Sequence, residues 1–524
     1  MAVTVNRVVL RIILLVTVLI GWGLALARLG ERSFWADEGF TAVLARDAPS
    51  VGVLKMLRLD PNQGVLHLLL MIGVIHVGGQ EFVVRFPSAM ATTLVLPLVY
   101  VLGRRLMSEG AGLAGTLLHS VSPYVIGYAQ EARPYALLEL LCCLSLVLLL
   151  KALTENRWSW WAGLGGTFGS LLYTHHFAWF VLGAEALFSL LVLLRSSLAQ
   201  RRLDPRCVRF AACLLLGLTL YLPWLPVLLA FWRQAGPGGS PIQTAGLPRF
   251  ELSLQFFRDM ISVFGPRAYG WRLYLYAAAL LLGVVAVVAR RRWQALVLIG
   301  LWFAVPLAVL TAFAAAHFFD FRYVIFFLPV LLLLVAEGLA AGSRLACRLV
   351  PGANVARSAP LLATGFALML FVPANYSGLR AHYLWEKENW RGISSFVSDN
   401  LDSGDAIYVS PRYWANPMLY YQPSLRKWLV GGSAEDVSQL VAAAEAQPGL
   451  WFLRYSGKLG DPTGQFQTWL DQRGFVQLVD GHGCGSGIHV YYGRTGDGAM
   501  TRMAELLAKA SRLCSTDTRK RRTP

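Results

Sequence analysis

Asp37 and Glu38 stand side by side in SFWADEGFTAVLARD (residues 33–47), flanked by Phe34, Trp35 and Phe40, directly after the first apolar run of the chain. In open water such a pair is only a solvated loop feature. Held among aromatic rings at a membrane surface, a carboxylate is partly desolvated, its basicity rises, and it can take a proton from a hydroxyl. QEARPYALL (residues 130–138) supplies a second group, with Glu131 and Arg133 before Pro134, a residue suited to opening a helix. DFRY (residues 320–323) supplies a third, in which Arg322, beside Asp320 and Tyr323, carries the guanidinium geometry that binds a phosphate through paired charge-assisted hydrogen bonds. The bland alternatives are an exposed ion pair at Glu131 and Arg133, which contributes little, and a snorkelling Arg322. His175 and His176 in YTHHFAW (residues 173–179) offer imidazoles. Neighbouring positions on a helix face different sides, so one of them, with Asp37 or Glu38, is the arrangement that could hold a divalent metal ion; no spaced HExxH-type pair accompanies them.

The elements that must position these residues are membrane helices. Of 524 residues, 56% are hydrophobic and 15% charged, and the apolar residues come in blocks long enough to cross a hydrocarbon core. The net charge of +17 is spread over short clusters between the blocks, such as Arg104-Arg105, Arg201-Arg202 and Arg290-Arg291-Arg292. Short basic loops of this kind mark the cytoplasmic side, and no basic groove interleaved with aromatics points to nucleic acid. Of the seven cysteines, five lie in apolar or basic segments, and Cys484 and Cys514 fall in the polar C-terminal part; none has paired metal-ligand spacing.

The patterning predicts an α-helical polytopic membrane protein of about 11 to 13 spans with the N-terminus inside, its helices near 8–29, 87–103, 110–128, 135–153, 158–174, 177–195, 208–231, 273–290, 294–315, 323–342 and 358–376. Residues 64–79, apolar but short and carrying His67 and His76, read as a re-entrant or interfacial segment, since a full crossing would reverse the side of Arg104-Arg105. A transmembrane domain then occupies 1–376, with its first outer loop at 30–63 and a long outer loop at 232–271. Beyond it, charged residues return, and helix-like ENWRGISSFVSDNL alternates with strand-like GDAIYVSP and GLWFLRYS, which predicts a small extracytoplasmic α/β domain over 377–500, followed by a basic tail, 501–524. Asn375-Tyr376-Ser377 matches a glycosylation acceptor on the outward side.

Taken in order, WADEGFT, QEARPYALL, YTHHFAWF, FRYVIFFLP and ENWRGISSFVSDNLDSGDAIYV resemble the C-type superfold of polytopic glycosyltransferases, which includes protein O-mannosyltransferases and aminoarabinose transferases, over about residues 8–410. The resemblance implies a polyprenyl-phosphate-linked sugar as donor and a glycan, lipid or protein acceptor on the outer face of a bacterial inner membrane. It implies Asp37 as catalytic base with Glu38 beside it, and Arg322, Arg133 and Tyr323 as contacts of the donor phosphate. Asp60, His67, Glu131 and Tyr135 become candidate substrate contacts. The resemblance makes no cofactor certain; a divalent metal ion at His175 or His176 is the one the residues admit. The chain departs from its relatives at LDPNQGVLHLLL, where Asn62, Gln63 and Gly64 replace a His-Pro-Pro stretch after Asp60. A lipid phosphate leaves without acid assistance, so one base and one phosphate clamp suffice, whereas a glycosidase needs two carboxylates. Two other classes compete: a flippase of a polyprenyl-linked glycan, and a noncatalytic lipid-glycan binding relative.

Overall fold

A computed structural model describes residues 2–59, 64–235, 250–265, 270–312, 319–348, 355–385, 387–431, 437–455, 464–481, 487–495 and 497–518. Asp60, Asn62, Gln63, Cys484 and residues 236–249 and 266–269 of the 232–271 loop lie outside the described residues. The chain divides into two compact units, one formed by 1–27, 51–70 and 85–382, the other by 28–50, 71–84 and 383–524.

The first unit is a helical bundle, and the chain is an integral membrane protein. Among the described residues eight helices are long and apolar enough to cross a bilayer: Arg7–Leu26, Glu81–Leu106, Tyr135–Glu155, Ala178–Gln200, Arg206–Ala230, Trp271–Ala289, Trp293–Ala312 and Phe327–Leu345. The span expected over 110–128 is instead two short helices, Glu109–Ser120 and Pro123–Ala129. The break is local chemistry: Ser122 accepts a hydrogen bond from the Val125 amide, and Pro123 takes the first helical position, where its missing N–H is not needed. The apolar helix Val65–Val77 has 13 residues, about 20 Å at 1.5 Å per residue, and is too short to span. The last helix runs from Val355 to Leu384, past its expected end at 376. Asn375 is therefore buried inside it, with its amide donating to the Phe371 carbonyl (2.9 Å), and is not a surface acceptor for a glycan.

Lipid does not drive helices together, so close backbone approach and interhelical polar contacts must. Phe327–Arg348 is the hub, packed against Trp271–Ala289 and Glu109–Ser120. At its crossing with Trp271–Ala289, a Cβ on Gly338 would stand 1.9 Å from the Ala279 carbonyl oxygen, and one on Gly283 1.9 Å from that of Leu334. Next to Gly338 on the same hub helix, buried Glu337 meets the Ser108 hydroxyl and the guanidiniums of Arg290 (3.0 Å) and Arg344 (2.7 Å). Two other buried carboxylates are similarly tied across helices, Glu139 to His119 (2.9 Å) and Glu185 to Ser145 (2.6 Å).

The second unit contains a four-stranded sheet of order β1-β2-β4-β3, with β1 Asp405–Ser410, β2 Gly449–Tyr455, β3 Val476–Val479 and β4 Ile488–Arg494. β1 runs parallel to β2, and the other two pairings are antiparallel. Strand alternation splits the core between two faces. Ile407, Val409, Trp451, Leu453, Val490 and Tyr492 face Trp390, Met418 and Leu506, while Ala406, Tyr408, Leu450, Phe452 and Tyr491 face Leu440, Phe466 and Leu470. Asp405 is buried at the start of β1 because the Trp451 indole N–H (3.0 Å) and the Tyr492 hydroxyl (3.2 Å) donate to its carboxylate. The helix Ala36–Val51, early in the chain, belongs to this same core through Ala36 and Val43.

Because the Gly338 crossing leaves no room for a side chain, Gly338→Leu is expected to abolish the folded, monodisperse protein in detergent. Gly300→Leu, at a glycine with open space around it, should leave the elution profile on size exclusion unchanged.

Candidate active site

Asp37 and Glu38 occupy the first turn of Ala36–Val51, where the unsatisfied amides of a helix N-terminus favour negative charge. The turn treats them differently. The Trp35 carbonyl accepts the first intrahelical bond from Gly39 (2.8 Å), and Glu38 reaches back to accept from the Trp35 amide (3.4 Å), the reciprocal half of a capping box. The Glu38 side chain has no exposed surface, and Lys387 Nζ lies 3.1 Å from its Oε2. That ammonium also stands 5.9 Å from the Trp35 ring centroid. Asp37 is half-buried, and the Tyr413 hydroxyl donates to its Oδ1 (3.1 Å).

The aromatics that flank the acids have separate tasks. Phe40 packs on Tyr413 (ring centroids 5.1 Å). Phe34 is fully buried against Tyr420 and Tyr421, and its amide donates to the Tyr421 hydroxyl (2.8 Å). Tyr421 in turn donates to Glu81 (2.6 Å), which also holds Arg391, so a chain of polar contacts fixes the entry to the acid-bearing helix. Burial, reinforced by Glu81, drives the Tyr421 phenol far above its ordinary range and keeps it a donor. Gly39 completes the turn: a Cβ there would come within 2.6 Å of the Pro417 backbone.

The first unit gathers a different set. Arg133 and Arg322 both stand over the ring of Tyr135, at 5.8 Å and 5.9 Å from its centroid, and Arg322 is also 5.7 Å from that of Tyr323. Tyr135 neighbours Tyr323 (6.4 Å) and His175 (6.0 Å), and His175 neighbours Tyr323 (5.8 Å). Arg133 is buried, and Arg322 is kept in place by Asp320, whose Oδ1 accepts from the Arg322 amide (2.9 Å) and whose Oδ2 lies 3.3 Å from Nε. Two residues 189 positions apart thus bring like charges to one aromatic ring.

His175 is buried, and its Nδ1 accepts from the Phe177 amide (3.1 Å), which leaves the proton on Nε2. Burial first, then the charges of His176, Arg133 and Arg322, hold its pKa well below the ordinary histidine value, so it serves as a neutral donor. His176 stacks on it (4.4 Å). Among the described residues no three His, Cys, Asp or Glu side chains come together to hold a metal ion. Glu131 is half-buried beside this set. His67 is buried within electrostatic reach of Arg133, and neither of its ring nitrogens has a hydrogen-bond partner among the described residues.

Of the residues expected from sequence, Arg133, Tyr135, His175, Arg322 and Tyr323 therefore converge in one unit, while Asp37 and Glu38 lie in the other. Sequence reasoning did not single out Lys387 or Tyr413. Lys387 directly precedes the ENWRG stretch, which carries a second cation, Arg391; Tyr413, in PRYW after β1, carried no signal.

Comparison with solved structures finds ArnT from Cupriavidus metallidurans in the apo state, at 14% identity and a TM-score of 0.57, covering 94% of this chain and 98% of that one. The same enzyme bound to undecaprenyl phosphate aligns at 14% identity and a TM-score of 0.59, covering 92% and 97%. This chain has the C-type glycosyltransferase fold. An oligosaccharyltransferase from Archaeoglobus fulgidus, tethered to an acceptor peptide, shares the C-type fold at 11% identity and a TM-score of 0.53, over 85% of this chain and 69% of that one. The family described as dolichyl-phosphate-mannose-protein mannosyltransferase matches residues 62–226. No curated protein sequence matches.

Two expectations follow from the geometry. Tyr135→Leu removes the ring that both guanidiniums face and should weaken binding of a long-chain alkyl phosphate in micelles about tenfold, with Tyr135→Phe close to wild type, as read by isothermal titration. Gly39→Ala should lower the thermal midpoint by an overpacking penalty of roughly 1–3 kcal/mol, measured by unfolding in detergent.

Proposed function

We propose that the chain is a membrane glycosyltransferase that moves a sugar from a polyprenyl-phosphate donor to an acceptor hydroxyl or phosphate on the extracytoplasmic face of a bacterial inner membrane. The observation that carries this reading is the pair of guanidiniums, Arg133 and Arg322, over the single ring of Tyr135, with the neutral imidazole of His175 beside them. Planar forks on a desolvated aromatic floor suit a phosphate oxyanion better than any neutral ligand. The C-type fold and the partial family match support a transferase, and ArnT, a relative in fold, has been seen with undecaprenyl phosphate.

In the reaction, Asp37 takes the proton from the acceptor as its oxygen forms a bond to the anomeric carbon. The bond from that carbon to the phosphate oxygen breaks on the opposite side, and the electron pair leaves with the polyprenyl phosphate. Configuration at the sugar carbon inverts. Arg322 and Arg133 meet the charge that develops on the leaving phosphate, with Tyr323 and His175 as neighbours, so no acid is needed. Asp320 anchors Arg322 through its amide and Nε. Glu38, sealed by Lys387, is available neither to an acceptor nor as a second base. The acceptor is a glycan, lipid or protein. No step is assigned to a metal ion.

Reconstituted in vesicles with radiolabelled polyprenyl-phosphate sugars and membrane extracts as acceptors, wild type should release label from the lipid. Asp37→Asn should slow that release by about 10²- to 10⁴-fold while its affinity for the donor stays within about twofold. Unchanged release from Asp37→Asn removes Asp37 from the chemistry. Translocation of labelled lipid without release points to a flippase.

A further inference from the structure

The acid-bearing turn is held from one side by a single stretch of the C-terminal chain. Asp37 accepts a hydrogen bond from Tyr413 (3.1 Å), Glu38 is paired with Lys387 (3.1 Å), Gly39 is pressed against Pro417 (2.6 Å for a Cβ), and Phe40 packs on Tyr413 (ring centroids 5.1 Å). Four consecutive residues thus each meet a residue between 387 and 417, all within one compact unit. The contact to Asp37 differs in kind from the other three. Those bury apolar or charged surface and hold the backbone, whereas Tyr413 touches the carboxylate oxygen that would receive a proton.

We propose that Tyr413 is a positioning residue for Asp37, its hydroxyl selecting the carboxylate rotamer in which the other oxygen faces the acceptor. This rests on the assignment of Asp37 as base. A carboxylate has about four lone-pair sites. A phenol on Oδ1 occupies one of them and restrains rotation of the group, and Phe40 limits where the phenol can swing. Asp37 is half-buried on the first turn of its helix, where its side chain has more than one staggered position to choose from, and the Tyr413 hydroxyl favours the one in which Oδ1 meets it. Misplacement of a reacting group by about 1 Å can lower a rate by about a hundredfold. The C-terminal unit is on this account part of the catalytic apparatus and more than a platform for the acceptor.

Tyr413→Phe keeps the ring and its packing on Phe40 and deletes only the hydroxyl. It is expected to lower kcat about tenfold, with KM for the donor within about twofold and the thermal midpoint unchanged. In single-turnover assays the double variant Tyr413→Phe with Asp37→Asn should be no slower than Asp37→Asn alone. A second readout requires no activity: labelling of Asp37 by a water-soluble carbodiimide with an amine, followed by peptide mass spectrometry, should run at least threefold faster in Tyr413→Phe than in wild type. Wild-type kcat in Tyr413→Phe, or an equal loss in both backgrounds, overturns the proposal. Faster labelling in a protein whose wild type transfers no sugar would instead retain the contact and reject the transferase reading on which the proposal rests.

Discussion

The second unit depends on the complete burial of one charge. Glu38 has no exposed side-chain surface, and a carboxylate without water is tolerated only when a partner and hydrogen bonds replace the solvent. Lys387 supplies the partner and the Trp35 amide the hydrogen bond. Removing one member of such a pair typically costs about 3–5 kcal/mol, because the other is left buried and uncompensated. The pair therefore specifies how the N-terminus of Ala36–Val51 meets the chain near Lys387. The two adjacent acids thus differ in setting: Glu38 is buried against Lys387, and Asp37 is half-buried beside Tyr413.

The first unit solves the opposite problem. There the charges are cationic, and Arg133 and Arg322 both meet the ring of Tyr135. The negative face of an aromatic ring can accept both only in part, and Asp320 offsets Arg322 at 3.3 Å.

Much of this was legible in the sequence, for reasons that differ by element. Apolar runs bounded by Arg clusters predicted spans at 135–153, 273–290 and 294–315, and helices occupy Tyr135–Glu155, Trp271–Ala289 and Trp293–Ala312. The α-helical C-type class with a small C-terminal α/β region was likewise readable. The 110–128 segment misled because its hydropathy continues across a break that only Ser122 and Pro123 announce. The last helix overran its expected end because nothing in SGLRAHYL stops a helix, even though its polarity suggests a loop. Strands β1 and β2 stood out as apolar runs, while β3 has only four residues and β4 follows a glycine-rich stretch that carries no periodicity. In the candidate site, residue types were visible but partners were not. Nothing in DFRY tells that Arg322 meets the ring of Tyr135, and nothing in PRYW tells that Tyr413 meets Asp37. Such long-range pairings are decided by tertiary packing, which leaves no local pattern.

The three-part make-up of the second unit also bears on how the protein is made. Residues 28–50 leave the ribosome some three hundred residues before 383–524 exist, yet they share one core through Ala36, Val43, Trp390 and Met418. Contacts of such sequence separation form late and slowly. Throughout elongation of the bundle, Glu38 lacks Lys387, and Ala36 and Val43 lack Trp390 and Met418. Assembly of the acid-bearing turn thus waits on synthesis beyond the bundle, and a chain released before Lys387 and Tyr413, even with its whole bundle inserted, would carry Asp37 without them.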